Sequence, residues 1–228
     1  MSETWFLLSS GVGESAVNMA IDEALMESAP QIGKPVLRFY GWAEPAATFG
    51  YSQKIADLER VTMLRPLIRR PTGGGLVPHD RDWTYSAVFP PNHAWYELKA
   101  TESYERIHQW IVDAFTLIGV DTILAPCCQK EIPGQCFLGA EKSDVLWMGR
   151  KIAGAAQRRT KDGLLIQGSI QPPPLGLKRE RWEKAMSDVA IEDFKVNWQT
   201  VELSPELQCR VKQLTEEKYS RAEFNSKR

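Results

Sequence analysis

Residues 144–148, 151–159 and 164–170 read as three strands in immediate succession, the first two joined at Gly149-Arg150 and the second pair around Asp162-Gly163, a favoured tight hairpin turn. Strands joined so closely must run antiparallel, which excludes a regular alternation of strand and crossover helix through this part of the chain. A fourth strand at 83–89 alternates Trp83, Tyr85, Ala87 and Phe89 against Thr84, Ser86 and Val88, the period of a strand with two unlike faces. Short runs at 35–40 and 46–51, bounded by Gly and Pro, are further candidates, with Tyr40-Gly41-Trp42 as the turn between them. Helices are expected at 15–28, with Ser15 as cap, and at 101–119. In the second, Tyr104, Ile107, Ile111, Ala114, Phe115 and Ile118 follow helical spacing and Gly119 supplies the stop. Pro172-Pro173-Pro174 closes the sheet-rich part, and Ser204-Pro205 opens a helix that buries Leu207, Val211 and Leu214. The expected class is α+β, with mixed β-sheets and packed helices.

The length of 228 residues suits a single domain spanning 1–228, and 43% hydrophobic with 25% charged residues is the composition of a chain with a folded core. Twenty-eight basic against 29 acidic residues leave a net charge of −1, so no global basic field exists to bind nucleic acid. No apolar run of about 18 residues is present to span a membrane, and the first residues lack a basic and apolar leader, so a cytoplasmic protein is expected. Cys127, Cys128, Cys136 and Cys209 are too few for a disulfide scaffold, which makes reduced thiols the default.

Three constellations carry possible chemistry. In Arg69-Arg70-Pro71-Thr72-Gly73-Gly74-Gly75-Leu76-Val77-Pro78-His79-Asp80, three adjacent glycines let the backbone lie directly against a ligand, while Arg70 and His79 flank it. The sequence is neither a Walker loop nor a dinucleotide turn, and a plain hairpin tip with solvated arginines is the competing reading. In Gly149-Arg150-Lys151-Ile152-Ala153-Gly154-Ala155-Ala156, with Gln167-Gly168-Ser169 on the next strand, small residues leave a channel and Lys151 supplies a point charge at its start. Six basic against two acidic residues between 141 and 161 give a local excess that either docks an acidic partner or merely guards a sheet edge. Cys136, in a loop-like stretch before this basic hairpin, is a candidate thiolate nucleophile, against the ordinary reading of an inert cysteine. Cys209 falls in a helical pattern where packing is the expected role, and His93 and His108 read as surface or helix-face residues. No metal site is expected, because there is no Cys-x-x-Cys pair and His79, His93 and His108 have no ligand spacing.

Taken in order, these blocks resemble the biotin/lipoate protein ligase superfamily. They are Asn18-Met19-Ala20-Ile21-Asp22-Glu23-Ala24-Leu25, Leu37-Arg38-Phe39-Tyr40-Gly41-Trp42, the Arg-Arg-Pro-Thr-Gly-Gly-Gly loop with His79-Asp80, Gly149-Arg150-Lys151-Ile152-Ala153-Gly154, and Glu217-Lys218-Tyr219 to Glu223-Phe224-Asn225. The resemblance implies a catalytic domain like those of class II aminoacyl-tRNA synthetases and biotin synthetases, without the accessory C-terminal ligase domain. Within the superfamily, Cys136-Phe137 shortly before the Gly-Arg-Lys hairpin resembles the nucleophile position of ligase-like lipoyl(octanoyl) transferases.

The resemblance thus implies an octanoyltransferase with Cys136 and Lys151 as catalytic residues. Arg70, Thr72, Gly73, Gly74, Gly75, His79, Gly154, Ala155, Ala156 and Gly168 would bind substrate. Its partners would be acyl carrier protein and the lipoyl domains of the glycine cleavage H protein or a 2-oxoacid dehydrogenase E2, with a monomer as the default state. Octanoyl transfer requires no cofactor, whereas the alternative, an ATP-dependent lipoate-protein ligase core, would use ATP and Mg.

Overall fold

The structure, a computed structural model, describes residues 2–130, 137 and 139–226. In chain order the strands are β1 (Glu3–Gly13), β2 (Val36–Trp42), β3 (Ala46–Phe49), β4 (Leu67–Arg69), β5 (Val77–His79), β6 (Trp83–Phe89), β7 (Ile123–Leu124), β8 (Gln129–Lys130), β9 (Gly139–Ala140), β10 (Val145–Trp147), β11 (Arg150–Thr160), β12 (Gly163–Ile170) and β13 (Val196–Thr200). The helices are α1 (Ser15–Glu27), α2 (Ala29–Ile32), α3 (Ile55–Leu58), α4 (Ala94–Glu97), α5 (Ala100–Leu117), α6 (Arg179–Asp193), α7 (Pro205–Leu214) and α8 (Ala222–Ser226).

Among the described residues the main sheet runs β13-β1-β2-β6-β12-β11-β10-β7, and a small second sheet runs β4-β3-β5. β1 lies parallel to both β13 and β2, whereas every pair from β2 to β7 is antiparallel, so the sheet is mixed, as the hairpin spacing requires. One face packs Leu37, Tyr85, Phe89, Leu164, Ile166 and Ile170 against α5 and α6 through Ile107, Trp110, Ile111 and Trp182. The opposite face packs Leu8, Val36, Val88 and Leu165 under α1 through Met19, Ala20, Ala24 and Leu25, with Val211 and Leu214 of α7 beside them. Both faces of β6 and β12 are therefore buried.

The face under α1 carries a polar seam. Asn18 and Asp22, one turn apart on α1, are fully buried opposite Arg38 of β2. Arg38 Nη1 donates to Asp22 Oδ1 at 2.7 Å, Nη2 to Asn18 Oδ1 at 2.8 Å and Nε to Ser10 Oγ at 2.7 Å. Asp22 also accepts from Ser86 of β6 at 2.7 Å, Gln167 of β12 at 2.7 Å and the Tyr40 hydroxyl at 3.0 Å. One carboxylate thus registers a helix on three strands. The C-terminal block closes the same region: Lys218 and Tyr219 reach Glu23, and Asn225 bonds the backbone and guanidinium of Arg69.

Several expectations are corrected. Tyr40-Gly41-Trp42 is not a turn, because β2 runs through it and β3 leaves for the second sheet, where it pairs with β4 and β5. Glu14 rather than Ser15 precedes α1, and the Ser15 hydroxyl is buried inside the helix start without a partner. β1 and β13 carry no hairpin signal and escape the sequence reading. Cys209 is exposed on α7 instead of packed, and leucine 207 is only half-buried, while Ser204 caps α7 as expected, accepting from the Leu207 N–H at 3.3 Å.

Removing one partner of a buried ion pair leaves an uncompensated charge, so Arg38→Met is expected to destabilise the protein by about 3–5 kcal/mol. Urea unfolding checks this, and a change below about 1 kcal/mol contradicts it.

Candidate active site

Where β11 and β12 meet the small sheet, a cleft opens that is lined by residues of both sheets and of α1. Gly154, Ala155 and Ala156 of β11 and Gly168 of β12 form its floor, and Met19, Tyr40, Trp42 and Val77 give it apolar sides. Lys151 and Phe137 stand together in its wall, the Lys151 ammonium 5.3 Å from the Phe137 ring centroid.

A bulge decides where Lys151 points. Val145 of β10 pairs with Ala153 while Leu146 pairs with Lys151, so Ile152 is an extra residue in β11. Strict alternation would place Lys151 on the same face as Ala153, which packs in the α5–α6 core. With the extra residue Ile152 and Ala153 both enter that core, and Lys151 turns to the cleft beside Gly154. Its Nζ lies 2.7 Å from Oδ2 of Asp144, a fully buried carboxylate. Asp144 also accepts from the Glu141 N–H at 2.6 Å and from the Tyr104 hydroxyl of α5. A Cβ on Gly154 would stand 2.7 Å from Lys151 Cε and Nζ, so the absent side chain makes the seat for the lysine.

Burial, and then the negative charge of Asp144, pushes the pKa values of Tyr104 and Tyr85 well up from the usual phenol range, so both hydroxyls keep their protons. His108, one turn after Tyr104, donates from Nδ1 to the Tyr104 carbonyl at 2.8 Å. Its burial depresses its pKa from 6.5 to about 4, against the opposing pull of Asp144, so it is neutral at pH 7. His93 is buried rather than on the surface, and His108 is a helix-face residue, on the inward face of α5.

The opposite wall is a second network. His79 Nδ1 pairs with Asp82 Oδ2 at 2.8 Å and its Nε2 lies 2.8 Å from the Thr48 hydroxyl, while Trp42 stacks on the ring at 3.9 Å. Asp82 Oδ2 further accepts from Thr84 at 3.0 Å and Ser169 at 2.6 Å. Arg70 is buried rather than solvated, bonding the Gly73 carbonyl through Nε at 3.1 Å and Nη2 at 2.5 Å.

Of the residues singled out from sequence, Arg70, His79, Lys151, Gly154, Ala155, Ala156 and Gly168 meet in the cleft. Thr72, Gly73, Gly74 and Gly75 are not among its lining residues. Thr72 is buried and donates to Gln167 Oε1 at 2.7 Å, and the Gly74 carbonyl occupies the space a Cβ on Gly50 would need, so the loop braces the cleft from behind. Cys136 lies outside the described residues, while Phe137, which follows it in sequence, lines the cleft. The basic residues of β11 divide: Arg158 reaches the Pro71 carbonyl and the Tyr51 ring on one face, and Arg159 reaches Ser103 and the Tyr96 ring on the other.

Sequence reasoning missed Trp42, Thr48, Asp82 and Asp144. Asp144 had a usable signal, as a lone carboxylate at the foot of an apolar strand seven residues before a lysine.

The chain matches the family described as lipoyl protein ligase A/B catalytic domain over residues 14–171. It is 36% identical to the octanoyltransferase LipM of Halalkalibacterium halodurans, the match covering 74% of this chain and 66% of that protein. It is 37% identical to the octanoyltransferase LipM of Bacillus subtilis, over 74% of this chain and 65% of that one. The chain spans just under two thirds of the length of these relatives. Among solved structures, a bi-partite lipoate protein ligase from Thermoplasma acidophilum, studied with its E2 lipoyl domain, superposes with a TM-score of 0.75 at 20% identity, over 99% of this chain and 97% of that one. At that identity the likeness is one of fold.

Two outcomes follow from the geometry. A Cβ on Gly168 would stand 2.2 Å from the buried Tyr85 ring, and one on Gly154 would stand 2.7 Å from the end of Lys151 and 3.2 Å from Asp144 Oδ1. Gly168→Ala should therefore destabilise by about 1–3 kcal/mol, and Gly154→Ala, by pushing Lys151 off the buried Asp144, by about 3–5 kcal/mol while freeing Lys151 for amine labelling. Denaturation and labelling mass spectrometry check both, and a Gly154→Ala protein whose Lys151 labels no faster than in the wild type contradicts the account. Because the unfolded chain binds a proton to His108 near pH 6.5 and the folded one only near 4, His108 favours folding above pH 6.5 and loses that contribution as pH falls through this window. Between pH 7 and 4 the wild type should lose about 3 kcal/mol more than His108→Gln, measured by unfolding at each pH.

Proposed function

The chain belongs to the family of lipoyl protein ligase A/B catalytic domains, and from that premise we propose that it transfers an octanoyl group from acyl carrier protein to the target lysine of a lipoyl domain. The sulfur of Cys136 attacks the thioester carbonyl of octanoyl-phosphopantetheine. A new carbon–sulfur bond forms, the old one breaks, and the departing phosphopantetheine sulfur takes the proton. The acceptor ε-amine then attacks the octanoyl-enzyme, forming an amide and returning the Cys136 thiol. Exchange between thioesters is nearly isoenergetic and amide formation is downhill, so the sequence of steps needs no ATP.

Phe137 carries this reading. The residue next to Cys136 in sequence stands in the cleft wall 5.3 Å from the Lys151 ammonium. Lys151, held by Asp144, has donors left for the carbonyl oxygen on which charge develops in the transition state. Ala155 and Ala156 keep the side chains along the cleft small, and Met19, Trp42 and Val77 offer an alkyl chain apolar contact. Burial of the six methylenes of an octanoyl chain is worth about 5 kcal/mol at about 0.8 kcal/mol each.

Incubation with octanoyl-acyl carrier protein and no ATP should add the mass of one octanoyl group to the protein. Cys136→Ser should abolish that adduct and lower transfer to a lipoyl domain by at least about a thousandfold. An adduct that persists in the variant overturns the nucleophile, and modification only with ATP and free lipoate overturns transfer in favour of a ligase.

A further inference from the structure

The cleft crosses the strands of the main sheet, and its two ends differ. Gly154 of β11, Ser169 of β12, Thr84 of β6 and Tyr40 of β2 pair in one row, and each lines the cleft. Lys151 stands at the β11 end, its Nζ beside Gly154. At the other end the Trp42 indole reaches Thr84, to which its Nε1 donates at 2.7 Å, and stacks on the His79 ring with centroids 3.9 Å apart. Asp82 holds His79 in turn, at 2.8 Å from Nδ1. Two strand spacings separate β11 from β6, so about 10 Å of floor lies between the lysine end and Thr84. An extended octanoyl group spans about 9 Å from carbonyl carbon to methyl, through seven carbon–carbon bonds of about 1.5 Å in zigzag. Along β11 and β12 the cleft instead meets Gln167 and Arg70, polar groups that give a methyl no apolar seat.

The stack of Trp42 on His79 is also a partition. Behind it lies a second hollow, lined among others by Val12, Ala43, Pro45, Arg81 and Arg179, and among the described residues Trp42 and His79 are the two that line both spaces. We propose that Trp42 is a specificity-determining residue that sets the length of the acyl group: its indole, fixed by Thr84 and His79, stops a chain of eight carbons and bars longer ones from the hollow behind it. The proposal rests on the octanoyl-transfer reading, which puts the carbonyl at Lys151. Because the indole is bonded on one edge and stacked on one face, it cannot swing aside for a longer chain without losing both contacts. Removing it joins the two spaces and gives further methylenes a course past Val12, Ala43 and Pro45.

Transfer to a lipoyl domain without ATP tests this, read as kcat/KM with octanoyl-, decanoyl- and dodecanoyl-acyl carrier protein as donors to the full chain. The wild type should favour the eight-carbon over the twelve-carbon donor by at least about a hundredfold. Trp42→Ala should bring these two donors within about tenfold of each other, through a gain on the twelve-carbon donor of at least about tenfold over the wild type. Val12→Trp, at an exposed residue of the hollow, should leave the wild-type preference unchanged and remove the gain when combined with Trp42→Ala. If Trp42→Ala does not fold, Trp42→Leu should show the corresponding gain on the decanoyl donor. Equal use of the three donors by the wild type, or a parallel fall on all of them in the Trp42 variants, overturns the proposal and leaves octanoyl transfer standing. Transfer from no donor by any of the proteins overturns the transfer reading and the proposal together.

Discussion

A single carboxylate, that of Asp22, sits where helix α1 crosses three strands, and the shape of the cleft depends on it. Fully buried, it is satisfied by protein donors, which Arg38, Tyr40, Ser86 and Gln167 supply from β2, β6 and β12. These bonds register the strands on one another and fix the side chain of Gln167. Its other end accepts from Thr72, so the constraint extends into the glycine loop, where Arg70 gathers the Gly73 carbonyl. The loop is thereby a braced support rather than a flexible flap.

The second determinant is a one-residue irregularity. Ile152, inserted into β11 opposite β10, turns Lys151 from the core to the cleft while letting two consecutive apolar residues enter the core. The ion pair with Asp144 then holds the lysine in place, and Tyr104 links the pair to α5. A buried pair of this kind adds little to stability, because desolvation of the two charges offsets most of their attraction. Its value lies in fixing one donor at the edge of the cleft.

The hairpins, β6, α5 and α7 were legible in the sequence because they are governed by local periodicity, turns and caps. β1 and β13 were not, since parallel pairing joins segments remote in sequence and leaves no turn chemistry between them. The β2 misreading has a related cause: Gly41 resembles a turn residue, but it sits within a continuing strand where Arg179 and Val12 stand 3.3 Å from the position of a Cβ, a tight fit for any side chain. At the site, the small residues of β11 and β12 and Lys151 were readable, as their spacing carries the signal. The charge partners were not, because Asp82 and Asp144 acquire their roles only when a loop folds back on a strand. The polar residues Asn18 and Asp22 within an otherwise apolar helix pattern were a usable hint of the buried seam opposite Arg38.

The central claim, that this cleft houses the acyl chain with its carbonyl at Lys151, is tested most directly by a crystal structure of the protein bound to a non-hydrolysable octanoyl thioester analogue. The account predicts an alkyl chain along Gly154, Ala155, Ala156 and Gly168, its carbonyl oxygen within hydrogen-bonding distance of Lys151 Nζ and its carbonyl carbon within reach of the Cys136 sulfur. A chain bound outside this cleft, or a carbonyl turned away from Lys151 toward the His79 wall, would contradict it.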